Sequence, residues 1–212
     1  MTDPRFGSMR RWEEMVPGSA DGALPTIVEK QEICTTPYQK MFRMRADFRQ
    51  FTKEYFVLEA RDRVGIVVVR DQQVLLVRQY RLIVDRIAWE IPGGGVGDGE
   101  LPEDAARREC LEETGIGCVR LRPLLTYYVG LDCLNPRTHL FLAEEIREVP
   151  GEVRRNPSEV FASEWIPLSR CFEWIEKGEI LDHFTILALF AHRWDTAAAG
   201  SGGKPGPEGM KR

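Results

Sequence analysis

Between Gly94 and Ile116 the chain reads GGVGDGELPEDAARRECLEETGI, a glycine-rich run followed by a stretch that gathers Glu100, Arg108, Glu109, Glu112 and Glu113. Pro102 suits the first position of a helix, where its missing N–H would lack a partner anyway, and Gly115 suits the left-handed residue that stops one. Good helix formers lie between them, so one short helix is expected. At 3.6 residues per turn, Glu109 lies one turn from Glu112 and Glu113, about 6 Å of rise from the latter. That spacing puts three carboxylates on one flank. Like charges so placed destabilise an isolated helix by roughly 0.2–0.5 kcal/mol per pair, and burial worsens this unless a cation compensates.

Hard oxygen ligands at this density suit Mg2+ or Mn2+. Magnesium keeps several waters and shares its other positions between one or two carboxylates and substrate phosphates, so a phosphate compound is the expected substrate. Gly93, Gly94, Gly95, Gly97 and Gly99 let the backbone approach a ligand, or offer a carbonyl to a metal, with no side chain in the way.

The fixed positions Gly94, Glu100, Arg108, Glu109, Glu112, Glu113, Gly115 and Ile116, with an apolar residue at Cys110, resemble the Nudix box. Cys110 stands where that family usually has an aliphatic residue, and a buried thiol behaves as a small hydrophobe. The resemblance implies an α+β fold, the Nudix α/β/α sandwich around a mixed sheet, over roughly residues 61–195. It also implies hydrolysis of a nucleoside diphosphate linked to another moiety. A solvated acidic helix, the bland alternative, explains neither the spacing nor the glycines.

The rest of the sequence agrees with one main domain. At 212 residues the chain can bury one good core. Its net charge is −4 with both signs interspersed, which gives no basic footprint for nucleic acid and no cationic face for a membrane. Cys34, Cys110, Cys118, Cys133 and Cys171 form an odd set without a CxxC pair, so neither a disulfide framework nor a zinc site is indicated. No apolar run nears about 20 residues and the first residues lack a signal-peptide core, so a cytoplasmic protein is expected.

Residues 1–25 read as an N-terminal segment whose interleaved Trp12 and Met15 leave partial docking open. From residue 26 to 60, TIVEKQEIC, QKMFRMRADF and EYFVLEA alternate apolar and polar residues as strands of an antiparallel extension. GIVVVRDQQVLLVRQYR reads as two buried strands about a turn at Asp71 and the two glutamines. Further strands are expected in VRLRPLLTYYVG, THLFLAEEI and VFASEWIPL, then helices in LSRCFEWIEKG and HFTILALFAHRW. Residues 196–212, rich in Gly and Pro, read as a disordered tail.

By matching position, the resemblance implies that Glu109 and Glu113 ligate the metal, with Glu112 as a further ligand or partner and the Gly93 carbonyl completing the sphere. Glu100 orients the cluster, and Arg108 is expected to hold the box together by pairing with a glutamate, although its fork could also serve a substrate contact. Within the family, the chain is similar to the ADP-ribose pyrophosphatase and nucleoside diphosphate sugar hydrolase branch, which implies a homodimer built through the N-terminal strands. Arg81 of RQYR resembles an arginine that contacts the pyrophosphate or terminal ribose. Trp89 is expected to stack on a base or to lie buried at the sheet edge, and Glu90 to contact metal or substrate. Among Arg43, Arg45, Arg49 and Lys53, one, with Arg45 the chosen candidate, reaches a partner's nucleotide. The general base is expected from a loop before the last strand, at Glu159 with Glu152 as its rival, unless metal alone activates the water.

ADP-ribose pyrophosphatases of this branch commonly carry a Ser-Pro-Gly turn beyond the box, whereas here the proline falls at Pro136. The expected activity is therefore Mg2+-dependent cleavage of nucleoside diphosphate sugars, with ADP-ribose specificity as the near alternative. A non-catalytic regulator on the same fold usually degrades the box or appends a DNA-binding module, and neither is present in this sequence. An isoprenoid diphosphate isomerase would need a catalytic cysteine that Cys110 does not obviously supply.

Overall fold

The computed structural model describes residues 25–149 and 160–200. Glu152, Glu159, most of the N-terminal segment and residues 201–212 lie outside them. The described residues divide into two compact units: 25–61 with 127–137, and 62–126 with 138–149 and 160–200.

In the first unit, β1 (Thr26–Thr35), β2 (Gln39–Asp47) and β3 (Thr52–Ala60) form the expected antiparallel sheet, in the order β1-β2-β3. Arg43 bonds Glu29 at 2.9 Å and lies 3.8 Å from Glu54, one cation tying three strands. The segment 127–137 lies along β3, where the Leu58 N–H donates to Cys133 O and the Asn135 N–H donates to Leu58 O.

The second unit holds β4 (Arg63–Arg70), β5 (Gln73–Arg81), β6 (Arg86–Glu90), β7 (Gly93–Gly95), β8 (Ile116–Tyr128), β9 (Arg137–Glu148) and β10 (Val160–Pro167). Its strand order is β10-β5-β4-β9-β8, with β6 on β5 and β7 on β4. β4 runs parallel to β9 and antiparallel to β5, so the sheet is mixed and the fold is α+β, as expected. Asp71 and Gln72, both at positive φ (51° and 61°), make the two-residue turn between β4 and β5, and Gln73 already pairs with Arg70. Positive φ at both positions matches the right-handed twist of the strands.

Helices α1 (Pro102–Thr114), α2 (Leu168–Glu176) and α3 (His183–Gly200) complete the unit. Val64, Ile66 and Val68 of β4 pack with Ala105, Ala106 and Cys110 of α1. Strand alternation turns Val67, fully buried, to the opposite face, and α3 also packs against β4. β4 is thus covered on both sides, which is why its sequence is continuously apolar.

Helix α3 runs to Gly200, past the point where composition marks the start of a tail. Ala197, Ala198 and Ala199 are strong helix formers, and the Thr196 hydroxyl donates back to His192 O at 3.1 Å. Among the described residues, no helix is long and apolar enough to cross a membrane.

Candidate functional site

Helix α1 has 13 residues, opens on Pro102 and ends on Gly115 at φ 76°, as its sequence dictates. Its small buried face, Ala105, Ala106 and Cys110, brings it close to the sheet and sets Glu109 and Glu113 beside the glycine loop. That loop is held by β7, in which Gly93, Gly94 and Gly95 pair with Gly65, Val64 and Arg63. The glycines are needed for the approach: a Cβ on Gly93 would lie 2.3 Å from Val64 O, and one on Gly94 would lie 2.3 Å from Glu109 Oε1.

Arg108 ties loop to helix. Its Nε and Nη2 donate to the two Glu100 oxygens, each at 2.9 Å, Nη1 donates to Glu109 Oε1 at 2.8 Å, and Nη2 also reaches Gly95 O at 3.1 Å. The Arg108 guanidinium and the Gly97 N–H hold the Glu100 carboxyl down to about 2. Glu113 is fixed differently: Oε1 accepts from Gln79 Nε2 and Oε2 from the Gly93 N–H, both at 3.0 Å. Glu112 is more open and lies 3.6 Å from Arg108.

Burial, reinforced by Glu109 and Glu90, pushes Glu113 up to about 8, against the pull of the Gly93 N–H and of Arg81. Burial also raises Glu109, against Arg108. Two carboxyls held above their ordinary range by desolvation and by neighbouring carboxylates lack positive charge, and a divalent ion would supply it. The hard-oxygen donor set fits such an ion as well, and the missing side chain at Gly94 makes room for the Glu109 carboxylate beside the loop. As they stand, no three acidic, His or Cys side chains among the described residues are grouped closely enough to hold one. Their hydrogen bonds divide them: Glu109 is turned to Arg108, and Glu113 to Gln79 and the Gly93 N–H.

The neighbouring hairpin sorts its side chains by period two. Gln79 lies opposite Ala88, and Arg78 opposite Trp89. Gln79, Arg81 and Glu90 therefore share the face toward α1, and Arg81 grips Glu90 with two bonds, from Nε at 2.7 Å and from Nη2 at 2.5 Å. Trp89 lies on the other face, stacked on Trp174 of α2 at 5.2 Å with Arg78 over its ring at the same distance. Alternation thus separates Trp89 from Arg81 and Glu90. Arg45 belongs to the N-terminal sheet, where it pairs with Glu29 at 3.1 Å.

The profile of the family described as NUDIX domain matches residues 59–184, more than half of the chain. The chain belongs to the NUDIX family. Among curated proteins it is 34% identical to a CMP-5'-(N-acetyl-N-hydroxy-3-aminopropyl)phosphonate hydrolase of Streptomyces rubellomurinus, over 60% of this chain and 62% of that one. It is 29% identical to the ADP-ribose pyrophosphatase of Bacillus subtilis, over 59% of this chain and 69% of that one. It is 32% identical to the GDP-mannose pyrophosphatase of Salmonella paratyphi B, over 55% and 64%. The chain thus spans about two thirds or less of the length of these relatives. A solved crystal structure of an ADP compounds hydrolase shares the fold at a TM-score of 0.72, with 20% identity, 84% of this chain and 96% of that one covered.

Beside the NUDIX box lies a recess of about 720 Å³, whose lining combines Arg63, Arg81, Glu90 and Asp182 with the apolar Leu82, Ile83, Val84 and Phe184. Asp182 caps α3, its Oδ1 accepting from the Thr185 N–H at 2.9 Å, while its buried Oδ2 has no partner among the described residues. Burial, with repulsion from Glu90, pushes Asp182 up to about 6, against its bonds with Thr185 and the pull of Arg81. Reasoning from sequence missed Gln79, Arg63 and Asp182. Period two from Arg81 already put Gln79 on the same face, a signal available in RQYR. Arg63 and Asp182 carry no local signal, since they meet only when the start of α3 folds against β4.

Proposed function

We propose that the chain is a divalent-metal-dependent pyrophosphohydrolase that cleaves nucleoside diphosphate sugars to a nucleoside monophosphate and a sugar phosphate. The observation that carries this reading is the pair of desolvated carboxylates, Glu109 and Glu113, set against a glycine loop whose missing side chain at Gly94 makes room for the Glu109 carboxylate. Glu109, Glu112, Glu113 and the Gly93 carbonyl would hold Mg2+ or Mn2+. Held there, an ion would supply charge neutralisation on the diphosphate and would acidify a water. Gln79 and the Gly93 N–H orient Glu113, Arg108 and Glu100 keep the box rigid, and Arg81 and Glu90 bound the space beside it. Glu159, with Glu152 as rival, is the proposed general base.

Three curated relatives named above act on nucleotide derivatives: a CMP phosphonate, ADP-ribose and GDP-mannose. The displaced proline at Pro136 favours nucleoside diphosphate sugars over strict ADP-ribose specificity, the second reading. We further propose a cytoplasmic homodimer, with Arg45 of the N-terminal strands reaching the partner's nucleotide; sedimentation showing a monomer at micromolar concentration would reject it. A panel of sugar nucleotides at fixed Mg2+, with product analysis in 18O-labelled water, tests the activity. Tenfold preference for ADP-ribose over every nucleoside diphosphate hexose selects the second reading, and no turnover of any member rejects both.

A further inference from the structure

The recess beside the box is lined by two arginines, and they differ in whether a carboxylate is bonded to them. Arg81 is neutralised by its two bonds to Glu90. Arg63, the first residue of β4, has no carboxylate within ion-pair reach among the described residues; its guanidinium sits over the Phe184 ring, 4.7 Å from the centroid. Arg63 is exposed, yet crowding by protein, and then Arg81, lowers its pKa, while Glu90, Asp182 and Glu109 act on it in the opposite sense. Accessible surface together with crowding is what a group lining a cavity shows, as opposed to one on a convex face. Arginine stays charged regardless. A planar cation held over an aromatic ring, with carboxylates nearby but none in a direct ion pair with it, keeps its fork of donors available to an anion from outside, and that fork matches a phosphate.

The surroundings narrow the class of ligand. Glu90, which lines the recess, also acts electrostatically on Glu113, so the recess borders the acidic helix. Leu82 and Ile83, 78% and 99% exposed, form an apolar rim that no described residue covers. Asp182 Oδ2 offers an unused acceptor for a hydroxyl or amine. We infer that Arg63 is a substrate-binding residue that takes the phosphate lying away from the acidic helix, with Phe184 and the Leu82–Val84 turn forming the wall for the group attached to it. This rests on the proposed hydrolysis of a diphosphate.

The test uses the full chain and its Arg63→Gln and Arg63→Lys variants, with thermal melting as the control for folding. Binding of α,β-methylene-ADP is measured by calorimetry, and hydrolysis of ADP-ribose and GDP-mannose by product formation. Arg63→Gln should weaken binding of the analogue and raise KM by at least about tenfold while kcat falls less than about threefold; Arg63→Lys should recover part of the loss. Binding and KM within twofold of the parent in Arg63→Gln overturn the inference and leave the hydrolase reading intact. Analogue binding that depends on Arg63, without hydrolysis of either compound, upholds the site and rejects the reaction. No binding by the parent chain overturns both.

Discussion

Replacing Gly94 by Ala separates folding from function at the box. The added methyl carbon would lie 2.3 Å from Glu109 Oε1, 2.4 Å from Cδ and 2.7 Å from Oε2, where ordinary contact begins near 3.4 Å. The carboxylate must therefore retreat by about 1 Å. It is the far end of a flexible side chain, so the cost to folding is small: one off-rotamer adjustment and a weakened bond to Arg108, about 1–2 kcal/mol together. In a chain of this length that lowers Tm by roughly 2–8 °C. A displacement of about 1 Å at a ligand whose distances matter to about 0.2 Å should cost about a hundredfold in kcat/KM and weaken Mn2+ binding in parallel. Gly93→Ala is the contrast, because its methyl meets Val64 O at 2.3 Å and Gly65 Cα at 3.0 Å, main-chain atoms of β4 that cannot swing aside. That variant should lose more stability than Gly94→Ala. Differential scanning fluorimetry, Mn2+ titration and steady-state kinetics read the three quantities. Activity and Mn2+ affinity of Gly94→Ala within threefold of the parent would refute the reasoning, since Glu109 would then not act from where it lies.

Three further predictions concern residues around the box. Gln79→Leu removes the donor to Glu113 Oε1 and should weaken Mn2+ binding at least about tenfold, with Gln79→Asn no better because it cannot reach; unchanged affinity would remove Gln79 from its positioning role. Asp182 has an ordinary value of 3.8 and a folded value near 6, so the folded state binds its proton more tightly. Its contribution is fully present below about pH 4, is lost as pH rises to about 6 and amounts to about 2–3 kcal/mol. Asp182→Asn keeps a good helix cap, so the difference in unfolding free energy between variant and parent should grow in the variant's favour across that window; a constant difference contradicts the assignment. Glu159→Gln should flatten the acidic limb of the pH–rate profile and Glu152→Gln should not; if neither changes it, the water is activated without a side-chain base.

Much of this was legible in the chain. Pro102 and Gly115 bound α1 because both act through local backbone geometry, and the continuous apolar run of β4 foretold burial on both faces. The acidic spacing located the box. What the sequence hid depends on register and tertiary approach. Trp89 and Glu90 are neighbours in the chain, yet the pleat sends one to Trp174 and the other to Arg81. The carboxylates that one helical flank seemed to gather are divided by partners from other elements, Arg108 with Glu100 on one side and Gln79 with the Gly93 N–H on the other. Arg63 and Asp182 lie more than 100 positions apart and share one recess only because α3 returns to β4.

The central claim is that the acids of α1 bind divalent ions against a diphosphate. Anomalous diffraction from crystals soaked in Mn2+ and α,β-methylene-ADP tests it most directly. The account expects manganese peaks in contact with Glu109 and Glu113 oxygens and with the analogue's phosphates, and loss of those peaks in Glu113→Gln. Bound analogue with no manganese at these carboxylates, or the same peaks in Glu113→Gln, would contradict it.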